Sequence, residues 1–481
     1  MSTKETIDDS NGFNSLLSRR DMLKYLGMAT ASGVLNLSLL KELQALTLAT
    51  QPKEIRPNII FILSDNCRWD HLGFKKHPFI QTPGIDRLAR EGVVFENAFN
   101  TTSLCSPSRA SILTGTYAHT HGVKNNHTAW TGSKTTFLEY LKQAGYDTAF
   151  IGKWHMPGKG LPEMPFLDQF VSYTYREGQG SYFDCPMLVN GKPVQAQNYI
   201  TREVTDYAIA FMQRKRMNPD GSKRPFCIYL SHRSAHPPYK TPADIKGMYA
   251  NAKVDLPPEV DAWFSKAEGN VFQGIMTSSY ENQYRKYCEV ITVMDRDIQR
   301  LLDKIEALGL RENTLVIYAS DNGMLWGEHR MHGIREAYEE SLRVPFIVRC
   351  PWLIRDPGGR RSQMALNIDV APTILDLAGI PVPKDMEGIS LAPSLGNADV
   401  PGRNAFLVEF WKYFPENTPT YVGVRTQTHK YVDFEKGRIP WLFDLTADPR
   451  ERINLYNTPE ANKLLPELKS MLKGLQEGKR Y

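Results

Sequence analysis

The sequence predicts an α/β protein, with a large, mostly parallel sheet sandwiched by helices and a smaller C-terminal α+β subdomain containing a short antiparallel sheet. Three observations predict it. Short apolar runs that read as buried strands alternate with stretches of helical periodicity. Polar clusters follow the ends of four of those runs. Near the C-terminus, Tyr421 to Val424 and His429 to Asp433 read as short antiparallel strands.

The strand candidates are Asn58 to Leu63, Thr148 to Ile151, Phe226 to Leu230, Thr314 to Tyr318 and Val344 to Val348. The longest expected helix runs from about Tyr280 to Leu308. Tyr284, Tyr287, Ile291, Met294, Ile298, Leu301 and Ile305 recur there at three- and four-residue spacings and make one apolar face. Cys105-Ser106-Pro107-Ser108-Arg109 opens another helix, because Pro107 suits a first turn, Ser106 or Ser108 can cap it, and Ile112-Leu113 anchor it.

Composition sets the outer bounds. The chain has 481 residues, 41% hydrophobic and 23% charged, which suits one large domain with a smaller one. The boundaries expected are an export leader over 1–50, a catalytic domain over 51–390 and a C-terminal subdomain over 391–481. The formal net charge of +5 is scattered and forms no basic stripe, which argues against nucleic acid as a partner. The six cysteines form no C-x-x-C pair and no regular spacing, so neither a disulfide framework nor a structural zinc site is expected.

The N-terminus reads as an address. Ser18-Arg19-Arg20-Asp21-Met22-Leu23-Lys24 precedes a mildly apolar run, Tyr25 to Leu40, that is too short and too rich in Gly, Ser and Thr for a stable membrane span. It resembles a twin-arginine export signal, which implies that the export machinery is a partner and that a bacterial enzyme is delivered to the periplasm or secreted.

Four polar clusters carry the chemistry. Asp65-Asn66 follows the first strand, Lys153 and His155 the second, His232 and His236 the third, and Asp321-Asn322 the fourth. Ligands in open α/β sheets bind beyond the carboxyl ends of strands, so these loops can converge on one crevice. Two carboxylates with two amide oxygens suit Ca²⁺ or Mg²⁺ better than zinc. Taken singly, each of those residues also reads as a turn or cap. Cys105, at a helix start with Arg109 one turn on, reads either as a low-pKa nucleophile or as a small buried hydrophobe.

The run C-x-P-S-R followed by Thr114-Gly115 resembles the signature of the type I sulfatases, whose fold is alkaline-phosphatase-like. Gly152-Lys153-Trp154-His155, the His-Pro element of Ser231 to Pro238, Gly327-Glu328-His329 and Tyr338 to Pro345 match further blocks of that family, from about Pro57 to about Leu455. The resemblance implies that a sulfatase-maturing enzyme converts Cys105 to formylglycine. One hydroxyl of the hydrated aldehyde then attacks the sulfur of a sulfate ester. It also implies one divalent ion, usually calcium, at Asp65, Asn66, Asp321 and Asn322, with residue 105 as a further ligand. Arg109 and Lys153 would steady the nucleophile and the ester oxygens. His155 would act as the base, and His236 would protonate or stabilise the departing alkoxide. His232 lines the pocket or is structural, and its role and that of His236 can be exchanged.

Two positions depart from the family pattern. Asn66 stands where a second aspartate is common, and Ile334 where a sulfate-binding lysine is common. Arg335 is the nearest substitute cation, with His332 another candidate. Arg68 and Asp70 either contact substrate or pair with each other. The expected activity is hydrolysis of a sulfate ester, with a sulfated glycan or small molecule as substrate. The alternatives are a phosphonate monoester or phosphodiester hydrolase of the same superfamily and a noncatalytic sulfated-glycan-binding protein.

Overall fold

The computed structural model describes residues 56–481, apart from 157–163, 175–177, 219–220, 222, 256, 258–279 and 436. The expected leader and Arg19-Arg20 lie outside the described residues. The strands in chain order are β1 (Asn58–Ser64), β2 (Val93–Phe99), β3 (Asp147–Gly152), β4 (Gln169–Tyr173), β5 (Pro186–Val189), β6 (Lys192–Gln195), β7 (Phe226–Ser231) and β8 (Thr314–Ser320). They continue with β9 (Leu325–Trp326), β10 (His332–Gly333), β11 (Phe346–Arg349), β12 (Arg360–Leu366), β13 (Ala405–Phe410), β14 (Tyr421–Thr426), β15 (His429–Phe434) and β16 (Trp441–Asp444).

Ten of these form one sheet in the order β12-β2-β11-β8-β1-β7-β3-β4-β5-β6. Its centre, β8-β1-β7-β3-β4, is parallel throughout. β11 runs against β8 and β2, and β5 runs against β4 and β6. Alternation along β1 sends Ile60 and Ile62 into one core and Ile59, Phe61 and Leu63 into the other, so the sheet is covered on both faces. The Tyr280–Ala307 helix lays its tyrosine and isoleucine face on the first core. The helices Cys105–Thr114, Phe137–Gln143 and Val370–Leu377 pack on the second.

Strands β13 to β16 make a separate antiparallel sheet in sequence order. Buried charges tie it to the main body: Lys430 pairs with Glu339 at 2.9 Å and Glu451 at 2.6 Å, and Arg425 reaches Glu339 at 3.1 Å. Burial opposes ionisation of Glu339, yet Lys430 and Arg425 hold its carboxyl well below the ordinary range. Burial pushes Glu451 up to about 7 despite Lys430. Two carboxylates and two cations sharing one dry pocket fix the position of the smaller sheet beside the site.

Candidate active site

Strand register brings the four clusters together. Leu63 is opposite Ser231, Ser231 opposite Gly152, and Ser64 opposite Ser320, so β1, β3, β7 and β8 end at nearly one level. The residues that follow leave the sheet along one edge. Gly152 is required at that level: its φ is +114°, and a Cβ there would meet the Ser231 carbonyl oxygen at 1.9 Å.

Asp65, Asn66, Asp321 and Asn322 are buried at this edge. The Asn66 amide donates to Asp321 Oδ1 at 3.1 Å, and Asn322 Nδ2 donates to Asp321 Oδ1 at 3.1 Å and to Asn66 Oδ1 at 3.3 Å. Asp65 Oδ1 and Asn322 Oδ1 are buried with no hydrogen-bond partner. Burial, together with the neighbouring Asp65, pushes the Asp321 carboxyl up against the pull of Arg109 and Lys153. Orphaned hard oxygens beside two crowded carboxylates fit a divalent cation, since an unpaired buried oxygen is otherwise costly. Asp65, Cys105 and His236 each place a ligand atom within 4.8 Å of the others.

The Cys105–Thr114 helix presents Cys105 as its first residue. Its N-cap is Leu104, without a side-chain cap, so the expectation of Ser106 or Ser108 in that role is corrected. Both serines are used elsewhere. Ser106 Oγ donates to the His155 carbonyl at 2.5 Å, and Ser108 Oγ accepts from Asn367 at 3.2 Å, while Asn126 Oδ1 accepts from the Ser106 amide. The low-pKa thiol is corrected as well. Cys105 is 1% exposed, and burial pushes its thiol up to about 12, with Asp321 and Asp65 opposing Lys153 and Arg109.

Two cations enclose the same point. Arg109 Nη1 donates to the Lys153 carbonyl at 2.9 Å and to Ser231 Oγ at 2.6 Å. Its Nη2 lies 2.6 Å from Asp321 Oδ2, an ion pair whose angle falls outside hydrogen-bond geometry, and 3.4 Å from Asp65 Oδ2. Lys153 Nζ pairs with Asp65 Oδ2. Asn322 Nδ2 comes within 3.4 Å of Cys105 Sγ.

His155, with φ +50°, sits 3.1 Å through Nε2 from the Gln179 amide nitrogen. His236 shares a 2.5 Å hydrogen bond between Nδ1 and the Pro237 carbonyl. Burial first, then Lys153, holds both histidines well below the usual range. His232 is fully buried with neither ring nitrogen partnered, and burial lowers it to about 3. Arg335 has φ +96°, donates from Nε to the Tyr413 hydroxyl at 3.2 Å and pairs with Glu416 at 2.8 Å. Against the effect of burial, Tyr413 and Glu416 hold the Arg335 guanidinium above its ordinary range. His332 instead bonds the Tyr280 hydroxyl at 2.9 Å. Arg68 pairs bidentately with Asp70 at 2.9 and 2.8 Å and also reaches Glu328.

Gln179, Arg233, Ser231, Asn126, Tyr413 and Glu416 did not emerge from the sequence as site residues. A signal for Gln179 existed. It lies between Gly178 and Gly180, with φ values of +91° and +73°, and a Cβ on Gly178 would meet the His155 amide nitrogen at 2.9 Å.

The sheet, its switch in strand direction and this crevice place the chain among alkaline-phosphatase-like hydrolases. Comparison with known proteins narrows the class. A family model described as Sulfatase matches residues 57–380, and one described as N-sulphoglucosamine sulphohydrolase, C-terminal, matches 327–478. The N-acetylglucosamine-6-O-sulfatase of Bacteroides thetaiotaomicron is 30% identical over 92% of this chain and 90% of its own. Human N-acetylglucosamine-6-sulfatase is 27% identical over 84% and 81%. A protein solved in complex with its substrate, D-glucosamine-2-N,6-O-disulfate, superposes with a TM-score of 0.78 at 29% identity, covering 88% of this chain and 98% of that one. The chain belongs to the sulfatase family, and its activity is that of a sulfuric ester hydrolase.

Proposed function

We propose that this sulfatase removes a sulfate ester from an amino sugar, at the 6-oxygen of a glucosamine unit, using formylglycine at Cys105. The observation that carries the site reading is the convergence of buried Cys105, Asp65, Asp321, Arg109, Lys153 and His155 with the half-buried His236. The sugar comes from the relatives.

Asp65, Asn66, Asp321 and Asn322, with residue 105, would hold Ca²⁺, or Mg²⁺ in its place, and the ion would supply Lewis-acid polarisation. The hydrated aldehyde at position 105 supplies the oxygen nucleophile. Arg109 and Lys153 orient that side chain and neutralise the ester oxygens. His155, held neutral, takes a proton at Nε2 as sulfate leaves, the Gln179 side-chain amide turning its oxygen toward the new N–H. The negative ester offsets the cations that depress His236, so that this histidine meets the departing oxygen with its proton. Arg335 replaces the usual lysine at the sulfate, and His232 walls the pocket.

The discriminating experiment compares release of inorganic sulfate from N-acetylglucosamine 6-sulfate with turnover of phosphonate monoesters and phosphodiesters by the matured protein. Faster phosphoryl turnover would overturn the substrate reading, and binding without turnover would favour the noncatalytic alternative. Chelation is expected to abolish most activity and lower the melting temperature, with Ca²⁺ restoring both. Full turnover by protein shown metal-free by elemental analysis would remove the ion from the scheme.

The leader is proposed to send the folded, matured enzyme through the twin-arginine machinery to the periplasm or beyond, after the maturing enzyme has acted in the cytoplasm. Replacing Arg19-Arg20 by Lys-Lys should leave the precursor inside the cell; unaltered export would refute the route. Among the described residues, no helix is long and apolar enough to cross a membrane.

A further inference from the structure

Arg233 is a buried guanidinium, 3% exposed, in the loop that leaves β7. Its two ends grip different segments: Nη1 donates to the Gln179 carbonyl at 3.0 Å, and Nη2 donates to the Pro237 carbonyl at 2.9 Å. Each of these residues touches one histidine. The side-chain amide of Gln179 lies 3.1 Å from His155 Nε2, and the Pro237 carbonyl accepts from His236 Nδ1 at 2.5 Å. A carbonyl only accepts, so Nδ1 of His236 carries a proton and Nε2 is the atom left to face substrate. Tyr182 completes the clamp. Its ring lies 4.9 Å from the guanidinium carbon, and its hydroxyl donates to the His236 carbonyl at 2.8 Å.

We infer that Arg233 is a positioning residue that sets His155 and His236 in one frame, so that the departing oxygen and the nucleophile side are served by two histidines at fixed separation. The inference rests on the proton roles given to those histidines above. A planar fork with donors at both ends suits the task, because it orients two carbonyls at once. A lysine offers one donor centre and cannot span both. Burial keeps the fork rigid, and a misplacement of about 1 Å at a proton-transfer group costs on the order of 100-fold in rate.

The test uses full-length matured protein and two probes, N-acetylglucosamine 6-sulfate, whose alkoxide needs a proton, and 4-nitrophenyl sulfate, whose phenolate does not. Arg233→Met is expected to lower kcat roughly 100-fold on the sugar sulfate and roughly tenfold or less on the aryl sulfate, with KM changed by under about threefold. Gln179→Leu, which disturbs the His155 side alone, should lower both substrates by similar factors. Arg233→Lys should recover part of the aryl rate but little of the sugar rate. His236→Ala must itself show the split between substrates. If it does not, the leaving-group role of His236 is wrong and the inference falls with it. If His236→Ala shows the split and Arg233→Met lowers both substrates equally, Arg233 is structural and the inference alone is overturned. Should Arg233→Met fail to fold, as judged by its melting curve, the same split in Arg233→Lys decides between these outcomes.

Discussion

Cys105→Ala is expected to give a folded protein that binds sulfated sugar and turns it over at less than roughly 10⁻⁴ of the parent rate. The fold should survive, because the side chain at 105 gives up one long hydrogen bond, with Asn322 at 3.4 Å, and truncating a small buried side chain costs about 1–2 kcal/mol. Binding should survive too, since Arg109, Lys153 and Arg335 are untouched. Titration calorimetry should therefore find a dissociation constant near that of the parent while sulfate release vanishes.

The alternative that position 105 acts as a plain thiol is opposed on two counts. Burial pushes the thiol up to about 12 and so disfavours the thiolate. A bound cation would favour the thiolate, yet a sulfur–sulfate adduct has no second hydroxyl from which to expel sulfate. Peptide mass across Cys105 from host-made protein should show CH₂SH replaced by CHO. An alanine variant that retains even a hundredth of the parent turnover would remove position 105 from the chemistry.

The central strands were legible because a parallel strand buried on both faces is a continuous apolar run, as in Asn58 to Leu63 and Thr314 to Tyr318, and each is punctuated by a polar cluster at its end. The edges were not. β6 reads Lys-Pro-Val-Gln, and β12 opens on two arginines, so neither carries the apolar signal. β11 was legible as a strand, but its reversed direction depends on how the chain turns back between β8 and β11.

In the site, residues within contiguous motifs could be found, while their supports could not. Gln179 reaches His155 across 24 positions, and Arg335 is braced by Tyr413 and Glu416 only once the smaller sheet is docked. Of the two readings of Cys105, burial favours the second, the small hydrophobe, for a related reason. Helix polarity and a nearby arginine are visible in sequence, but complete burial and two facing carboxylates are tertiary facts, and here they outweigh the first pair.

Lys153→Met is expected to reduce kcat/KM by roughly 10³-fold, which is about 4 kcal/mol of lost transition-state stabilisation. Lys153 is wholly buried and pairs with Asp65, so methionine fills its volume but supplies no charge at the one point where ester oxygens, Asp65 and residue 105 meet. The variant also carries a signature in pH. After burial, Lys153 is the largest influence lowering His155 and His236. Without it, the His155 pKa rises, so a higher pH is needed to keep that base neutral. The acid limb of the kcat profile should therefore move to higher pH, whereas loss of packing alone would lower the profile without moving it. Profiles measured on 4-nitrophenyl sulfate, which needs no proton on its leaving group, isolate His155 from His236. An acid limb unmoved, or shifted to lower pH, would show that Lys153 does not set the field at the base.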